Sequence, residues 1–273
     1  AIERKTLRLL LDKETAIHTL ALYETKHFTA KARLLRALME AGSLDHSVVT
    51  QKLHISAPTI KSLEKEGILE IEVSKEYRNP VNHLESKGYH LTLNEQQQRV
   101  VDRITENIEQ GEQKTYLLKG VTGSGKTEVY MELIAHTIAS GKQAIVLIPE
   151  IALTFQTVMR FYNRFGDRVS IMNSRLSQGE RYDQYLRAKN GDIDIMIGPR
   201  SALFAPFSKL GLIIIDEEHE SSYKSETVPK YHARETAIER ARQNGASVVL
   251  GSATPSLDSY YHAKNGEYEL LEL

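Results

Sequence analysis

The octapeptide GVTGSGKT, Gly120 to Thr127, fits the spacing G-x-x-x-x-G-K-[ST]. Gly120, Gly123 and Gly125, with Val121, Thr122 and Ser124 between them, let main-chain N–H groups wrap phosphate oxygens. A helix starting just behind the loop favours anions, Lys126 can reach the β- and γ-phosphates, and Thr127 can ligate Mg²⁺. Further along, LIIIDEEHESSYK, Leu212 to Lys224, runs four aliphatics into three acids and a histidine. An acid ending an apolar strand downstream of such a loop can complete Mg²⁺ binding, which selects Asp216. Its neighbour Glu217 can then polarise the water attacking the γ-phosphoryl group as a positioned general base. Glu218 and His219 stay open between a place in the site and a satisfied structural role.

Both motifs need rigid supports. The phosphate loop lies between the strand-like TYLLK and the helical EVYMELIAHTI. Aliphatic runs in TYLLKG, QAIVLIP, DIDIMIG, LGLIIIDEE and ASVVLGSAT alternate with helical stretches such as KTEVYMELIAHTIASGK. Buried strands alternating with helices predict an α/β domain, a parallel sheet covered on both faces, with the functional residues at the carboxyl ends of the strands.

The first eighty residues have a different texture. Apolar positions recur at helical spacing from Ala1, and in AKARLLRALMEAG the residues Leu34, Leu35, Leu38 and Met39 make one face that Gly42 ends. A short helix, SVVTQKL, follows; then ISAPTIKSLEKEGIL places Ser56 as an N-cap, Pro58 in the first turn and Gly67 at the close. ILEIEV alternates like a half-buried strand. The expectation is a small α+β winged-helix domain over 1–80, with an N-terminal helical lead-in, a strand hairpin and SKEYRN as wing tip, then a linker over 81–92. Between residues 1 and 80 there are 13 Lys or Arg against 11 Asp or Glu, about +2 net. On the third helix Lys61 and Lys65 interleave with Glu64 and Glu66, so that helix could contact DNA or serve packing and protein docking.

Bulk composition narrows the class without choosing a partner. A length of 273 residues favours two domains, and 41% hydrophobic with 26% charged residues suits a globular protein. The net charge of −1 supplies no global field for nucleic acid, so any such binding must use local patches. There is no cysteine, hence no disulfide framework or thiolate metal site. The start, AIERKTLRLLLDKE, has no signal-peptide core and no run approaches a membrane span, so a cytoplasmic protein without a membrane partner is expected.

At these residues the chain resembles the superfamily 2 helicases, and more narrowly the PriA family of bacterial replication-restart helicases (primosomal protein N′). LNEQQQRVVDRI, LLKGVTGSGKTEVYMELI, LIPEIALTFQ, GPRSALFAPFSKLGLIIIDEEHESSYKSETVPKYHARETAIERA and VVLGSATPSLDSY carry the likeness in order and spacing. DEEH with GSAT alone would indicate only a helicase. The resemblance implies that 93–273 is a RecA-like first helicase lobe. It also implies that Gln97, or Gln96 beside it, recognises adenine, and that His219 links the nucleotide site to Ser252, Ala253 and Thr254, which couple hydrolysis to movement. Pro149, Glu150, Thr154 and Arg200 are similar to residues touching single-stranded DNA. ESSYKSETVPKYHAR resembles the family's aromatic-rich loop, in which Tyr223, Tyr231 and His232 could stack on bases, and Lys224, Lys230 and Arg234 could neutralise phosphates.

Two positions depart from the family pattern: Asn173 and Ser174 stand where a His-Ser pair is expected, and Ser225 where glutamine is expected. The implied activity is that of an ATP- and Mg²⁺-dependent 3′-to-5′ DNA helicase. It would recognise stalled forks and D-loops, and assemble primosome proteins with single-strand DNA-binding protein as partners. The family's second lobe, zinc-binding cysteine insert and amino-terminal DNA-binding domain have no counterpart in this sequence, so a fragment with little ATPase of its own is expected. The alternatives are another superfamily 2 translocase, RecG-like or a restriction-type subunit, or a module that mainly binds DNA or protein.

Overall fold

The computed structural model describes residues 2–76 and 92–273, in two compact units, 1–78 and 79–273. The linker expected at 81–92, apart from Thr92, and the part of the expected wing tip from Tyr77 to Asn79 lie outside the described residues.

The first unit runs β1 (Ile2–Leu9), α1 (Lys13–Thr25), α2 (Thr29–Ala41), β2 (Ser43–Asp45), α3 (His46–Gln51), α4 (Ala57–Lys65) and β3 (Leu69–Glu76). Its strands pair antiparallel in the order β2-β1-β3, a small winged-helix-like α+β fold. Leu34, Leu35 and Leu38 of α2 are fully buried with Leu7, Ile60 and Leu63, each such burial worth about 1.5–3 kcal/mol, and Met39 packs on the rim. Gly42, at φ 73°, ends α2 with its N–H on the Leu38 carbonyl. Ser56 stands at the N-cap of α4, but its hydroxyl meets Thr59 Oγ1 at 2.9 Å instead of capping a main-chain N–H.

Two expectations are corrected here. The chain from Ile2 to Leu9 is a strand, and helix begins only at Lys13, behind an Asp12 carboxylate that accepts from Thr15 N at 2.9 Å. Leu7 and Leu9 alternate with Thr6 and Arg8, but the partner that makes a strand of them is remote. Arg8 lies opposite Glu70 and bonds Glu72, 64 residues away, at 3.1 Å. The described partner of β3 is β1, and Ser74, Lys75 and Glu76 continue the strand instead of opening a tip, while the return strand of the expected hairpin lies outside the described residues.

The end of α4 carries a titratable cluster. Glu66 accepts from the Tyr23 hydroxyl at 2.6 Å, from Lys31 Nζ at 2.5 Å and from Ser62 Oγ at 2.7 Å. Burial pushes the Glu66 carboxyl up, but these donors outweigh it and hold it at about 2, below the ordinary 4.5. A depressed folded value stabilises fully above the unfolded value and is lost as pH falls from about 4.5 towards 2. In thermal melts taken from about pH 6 down to about pH 2.5, Glu66→Gln should therefore lose less stability than the parent. Parallel losses would exclude Glu66 as a source of acid sensitivity.

The second unit runs α5 (Glu95–Glu109), β4 (Thr115–Lys119), α6 (Lys126–Ala139), β5 (Gln143–Leu147), α7 (Phe155–Phe165), β6 (Val169–Ile171), α8 (Gln178–Asn190), β7 (Ile195–Gly198), β8 (Leu210–Asp216), α9 (Ala233–Asn244), β9 (Ser247–Ser252), α10 (Leu257–Lys264) and β10 (Glu269–Glu272). Its strands form one parallel sheet in the order β10-β4-β9-β8-β5-β7-β6. Successive side chains point to opposite faces: Ile213 and Ile215 pack with Leu117, Leu250 and Ala237 of α9, while Leu212 and Ile214 pack with Leu118, Ile134 of α6 and Phe161 of α7. Because both faces are covered, the strands read as unbroken aliphatic runs. This is the α/β, RecA-like P-loop architecture expected of the sequence. Among the described residues no helix is long and apolar enough to cross a membrane.

The strand order sets up the site. β4 and β5 are consecutive in the chain but are separated in the sheet by β9 and β8. The carboxyl ends of β4, β9 and β8 therefore lie side by side, with Lys119 opposite Ser252 and Asp216 opposite Gly251.

Candidate active site

The loop after β4 turns into α6 through Gly123 and Gly125, both at positive φ (83° and 86°). At Gly120 a Cβ would stand 2.5 Å from Ser124 Oγ. Lys126, buried, donates from Nζ to the Gly120 carbonyl at 2.8 Å and lies 3.9 Å from Glu217 Oε1. Ser124 Oγ is buried without a hydrogen-bond partner. A cradle of free main-chain donors, an orphan hydroxyl and a buried ammonium suits a polyphosphate.

Gln97 and Gln96 are distinguished by direction. Gln97 closes a capping box with Asn94 at the start of α5, and its Nε2 donates to the Ser124 carbonyl at 3.2 Å. Gln96 reaches instead to the Glu272 carbonyl in β10. Only Gln97 is set against the loop.

Asp216 ends β8 facing the loop. Burial pushes its carboxyl up, the Tyr130 hydroxyl donating to Oδ1 at 2.9 Å pulls it back, and Glu217 beside it pushes up again. Glu217 follows at φ 47°, a left-handed conformation that a non-glycine residue adopts only when its surroundings hold it there. That turn sends consecutive acids in different directions. Glu217 goes to the mouth of the loop, whereas Glu218 is buried and accepts from Ser256 N at 2.7 Å, Ser259 Oγ at 2.7 Å and Arg234 Nη1 at 3.4 Å. His219 Nδ1 meets Ser252 Oγ at 2.7 Å, and Ser252 Oγ also accepts from Thr254 N at 3.0 Å.

Mg²⁺ fits these residues. Among the described residues no three His, Cys, Asp or Glu side chains converge as a metal cluster. Mg²⁺ at a phosphate site keeps waters and phosphate oxygens and asks for only one or two protein ligands, which Thr127 in the first turn of α6 and Asp216 can supply.

A second surface lies along the carboxyl ends of β5, β7 and β8. A groove of about 390 Å³ is lined by Pro149, Glu150, Asn173, Arg200 and Tyr231, among others. Arg200 donates to the carbonyls of Ser222 (2.9 Å) and Lys224, and its guanidinium lies 5.4 Å from the centre of the Tyr231 ring. The Phe204 ring meets Tyr231 edge-on at 5.3 Å. Lys224 bridges to His232, and Ser225 N donates to the Tyr231 carbonyl at 2.8 Å, closing a loop whose residues Glu226 to Lys230 are exposed. Thr154 caps α7, accepting from Thr157 N at 3.3 Å.

Two residues expected to face DNA do not. Tyr223 is 1% exposed, and its hydroxyl donates to the carbonyls of Asp216 (2.7 Å) and Leu147 (3.1 Å), so its ring cannot stack on a base. Arg234 is 5% exposed and committed to Glu218, Ser256 and Ser259, so it cannot neutralise a phosphate. Both sit at the ends of the loop, where the chain turns back into the core. His232 caps α9, accepting on Nδ1 from Arg234 N; burial and the Arg234 charge lower its pKa and keep the ring a neutral acceptor.

The two departures from the family pattern have local explanations. Asn173 Oδ1 accepts from the N–H groups of Arg175 and Leu176, shaping the turn after β6, and Ser174 bonds Glu150 through both N (3.1 Å) and Oγ. Ser225, buried, donates its hydroxyl to the Thr227 carbonyl. Sequence reasoning missed Tyr130 and Arg240, which donates to the carbonyls of Leu203 and Ala205 and so holds the turn that carries Arg200. Tyr130 had a signal: four residues after Lys126, it lies one turn along the same helix face.

A family model for DEAD/DEAH box helicases matches residues 94–262. The chain is 49% identical over 235 residues to the replication restart protein PriA of Bacillus subtilis, covering 86% of this chain and 29% of that protein. It is 41% identical over 263 residues to that of Chlamydia pneumoniae, covering 93% and 34%. The chain thus spans about a third of the length of these curated relatives. The solved structure of RecG bound to a three-way DNA junction is similar in fold, with a TM-score of 0.50 and 24% identity, covering 67% of this chain and 24% of that one.

Proposed function

The chain belongs to the DEAD/DEAH box helicase family, and on that premise we propose that it is the first motor lobe, with a winged-helix unit before it, of an ATP-driven 3′-to-5′ DNA helicase of the PriA kind. The substrates proposed for the whole protein are single-stranded DNA, stalled or collapsed forks and D-loops in the bacterial cytoplasm. The outcome proposed is primosome assembly for replication restart, with primosome proteins and single-strand DNA-binding protein as partners. A zinc-binding cysteine insert is proposed for the longer protein only, since this chain has no cysteine. The observation that carries the reading is the meeting of the phosphate loop, the acid pair and Ser252 at three adjacent strand ends.

In the proposed mechanism Lys126 exchanges the Gly120 carbonyl for a phosphate oxygen, and Gln97 stands at the adenine side. Thr127 and Asp216 would hold Mg²⁺, which when bound neutralises charge on the β- and γ-phosphates. Glu217 accepts a proton from the attacking water. His219 passes the state of the acid pair to Ser252 and thus to Ala253 and Thr254. Pro149, Glu150, Thr154, Arg200, Lys224, Lys230, Tyr231 and His232 make the proposed DNA face, where Tyr231, held by the Arg200 guanidinium and meeting Phe204 edge-on, is the proposed stacking platform.

Forked DNA should stimulate ATP hydrolysis by the full-length protein, and Lys126→Ala should abolish both basal and stimulated rates. The isolated chain should hydrolyse ATP about 10³- to 10⁵-fold more slowly, for want of an arginine from a second lobe. Hydrolysis indifferent to DNA would overturn the motor reading.

A further inference from the structure

We propose that Tyr130 is a positioning residue for Asp216, its hydroxyl fixing one carboxylate oxygen so that the other is presented towards Thr127 and Mg²⁺. The proposal rests on the motor reading above. Tyr130 is 1% exposed, on the turn of α6 that follows Lys126 and Thr127, and Oη lies 2.9 Å from Asp216 Oδ1. A buried tyrosine hydroxyl usually finds a partner, and most side-chain hydrogen bonds go to backbone or water rather than to another side chain. Here the acceptor is the acid at the mouth of the phosphate loop.

The opposite wall of the contact is built for it. A Cβ on Gly251 would overlap the Tyr130 hydroxyl, and would also come within 2.9 Å of the ring carbon bearing it. Gly251 does not have a positive φ, so its backbone alone would admit another residue; what the position requires is space for the tyrosine. From the other side the Tyr223 hydroxyl holds the main-chain carbonyl of Asp216 at 2.7 Å. Side chain and backbone of Asp216 are therefore each held by a buried tyrosine, one from the phosphate-loop helix and one from the loop leading towards the proposed DNA face. A carboxylate oriented in advance binds a cation without first losing rotational freedom, and partners of this kind are worth about 10- to 100-fold in metal affinity.

The test is Tyr130→Phe in the full-length protein, with a fluorescent ADP analogue titrated at graded Mg²⁺. The substitution should raise the Mg²⁺ concentration needed for half of the metal-linked gain in nucleotide affinity by about 10- to 100-fold. Affinity in EDTA should be unchanged, as should the circular dichroism spectrum. Because the tyrosine acts through Asp216, Tyr130→Phe should add no further shift to Asp216→Asn. A folded Tyr130→Phe protein with the parental Mg²⁺ dependence, or additive effects in the double variant, would reduce Tyr130 to core packing and overturn the proposal. Absence of metal-linked nucleotide binding in the parent itself would instead overturn the motor reading, and the proposal with it.

Discussion

Glu217→Gln should lower the hydrolysis rate of the full-length protein by about 10²- to 10⁴-fold while leaving nucleotide binding intact. The carboxylate is 30% exposed at the mouth of the phosphate loop, 3.9 Å from Lys126 Nζ and 3.7 Å from His219 Nδ1. It is also the residue whose backbone is held at φ 47°, a conformation that costs on the order of 1 kcal/mol or more and is kept where the surroundings demand it. Glutamine has the same shape and can take the same backbone, but cannot accept the proton of the attacking water. Binding of a fluorescent ADP analogue should be equal to the parent or slightly tighter, since Lys126 loses a competing carboxylate. Single-turnover hydrolysis alongside equilibrium binding separates the two. A rate within a few-fold of the parent would remove Glu217 from the role of base.

Arg234→Met should cost about 3 kcal/mol, or about 6–12 °C in the melting midpoint of the second unit. The Glu218 side chain is fully buried and that of Arg234 is 6% exposed, and removing one partner of a buried pair strands the other charge in low dielectric. Ser256 N, Ser256 Oγ and Ser259 Oγ would still donate to Glu218, which sets the loss at the lower end of the usual range. Neutralising the stranded acid as well, in Glu218→Gln with Arg234→Met, should recover part of it. Asp258→Asn is the control: Asp258 meets Arg234 at 3.3 Å but is 77% exposed, so the change should cost less than about 1 kcal/mol. A loss below about 1 kcal/mol for Arg234→Met would show that the pair adds nothing beyond packing.

The cluster has a further consequence for the motif around Ser252. Glu218 caps the start of α10 through Ser256, while its neighbour His219 holds Ser252. The segment from Ser252 to Ser256 is therefore pinned at both ends by consecutive residues of DEEH. Of the open pair Glu218 and His219, the first is a satisfied buried acid and the second joins the two motifs.

Features carried by short stretches of chain could be read from the residues alone. The phosphate loop declares itself because its glycines, lysine and threonine act within one turn, and the aliphatic runs declare a sheet covered on both faces because burial on both sides removes polar alternation. The helix of Leu34, Leu35 and Leu38 and its end at Gly42 follow from local periodicity in the same way. None of this depends on what lies elsewhere in the chain. The partners of those stretches do depend on it. Ile2–Leu9 became a strand because β3, more than sixty residues on, pairs with it. Asp216 and Ser252 joined the phosphate loop because β9 and β8 insert beside β4. DEE and YHAR have equally polar residues whether they meet solvent, nucleotide or each other. Only the packing of α9 against β8, with Ser256 and Ser259 at the start of α10 bonding Glu218, turned Glu218 and Arg234 inward and Glu217 outward, and only the closeness permitted by Gly251 brought Tyr130 to Asp216. Composition and spacing state what a side chain can do, but the low-dielectric contacts that decide what it does are made between residues far apart in the chain.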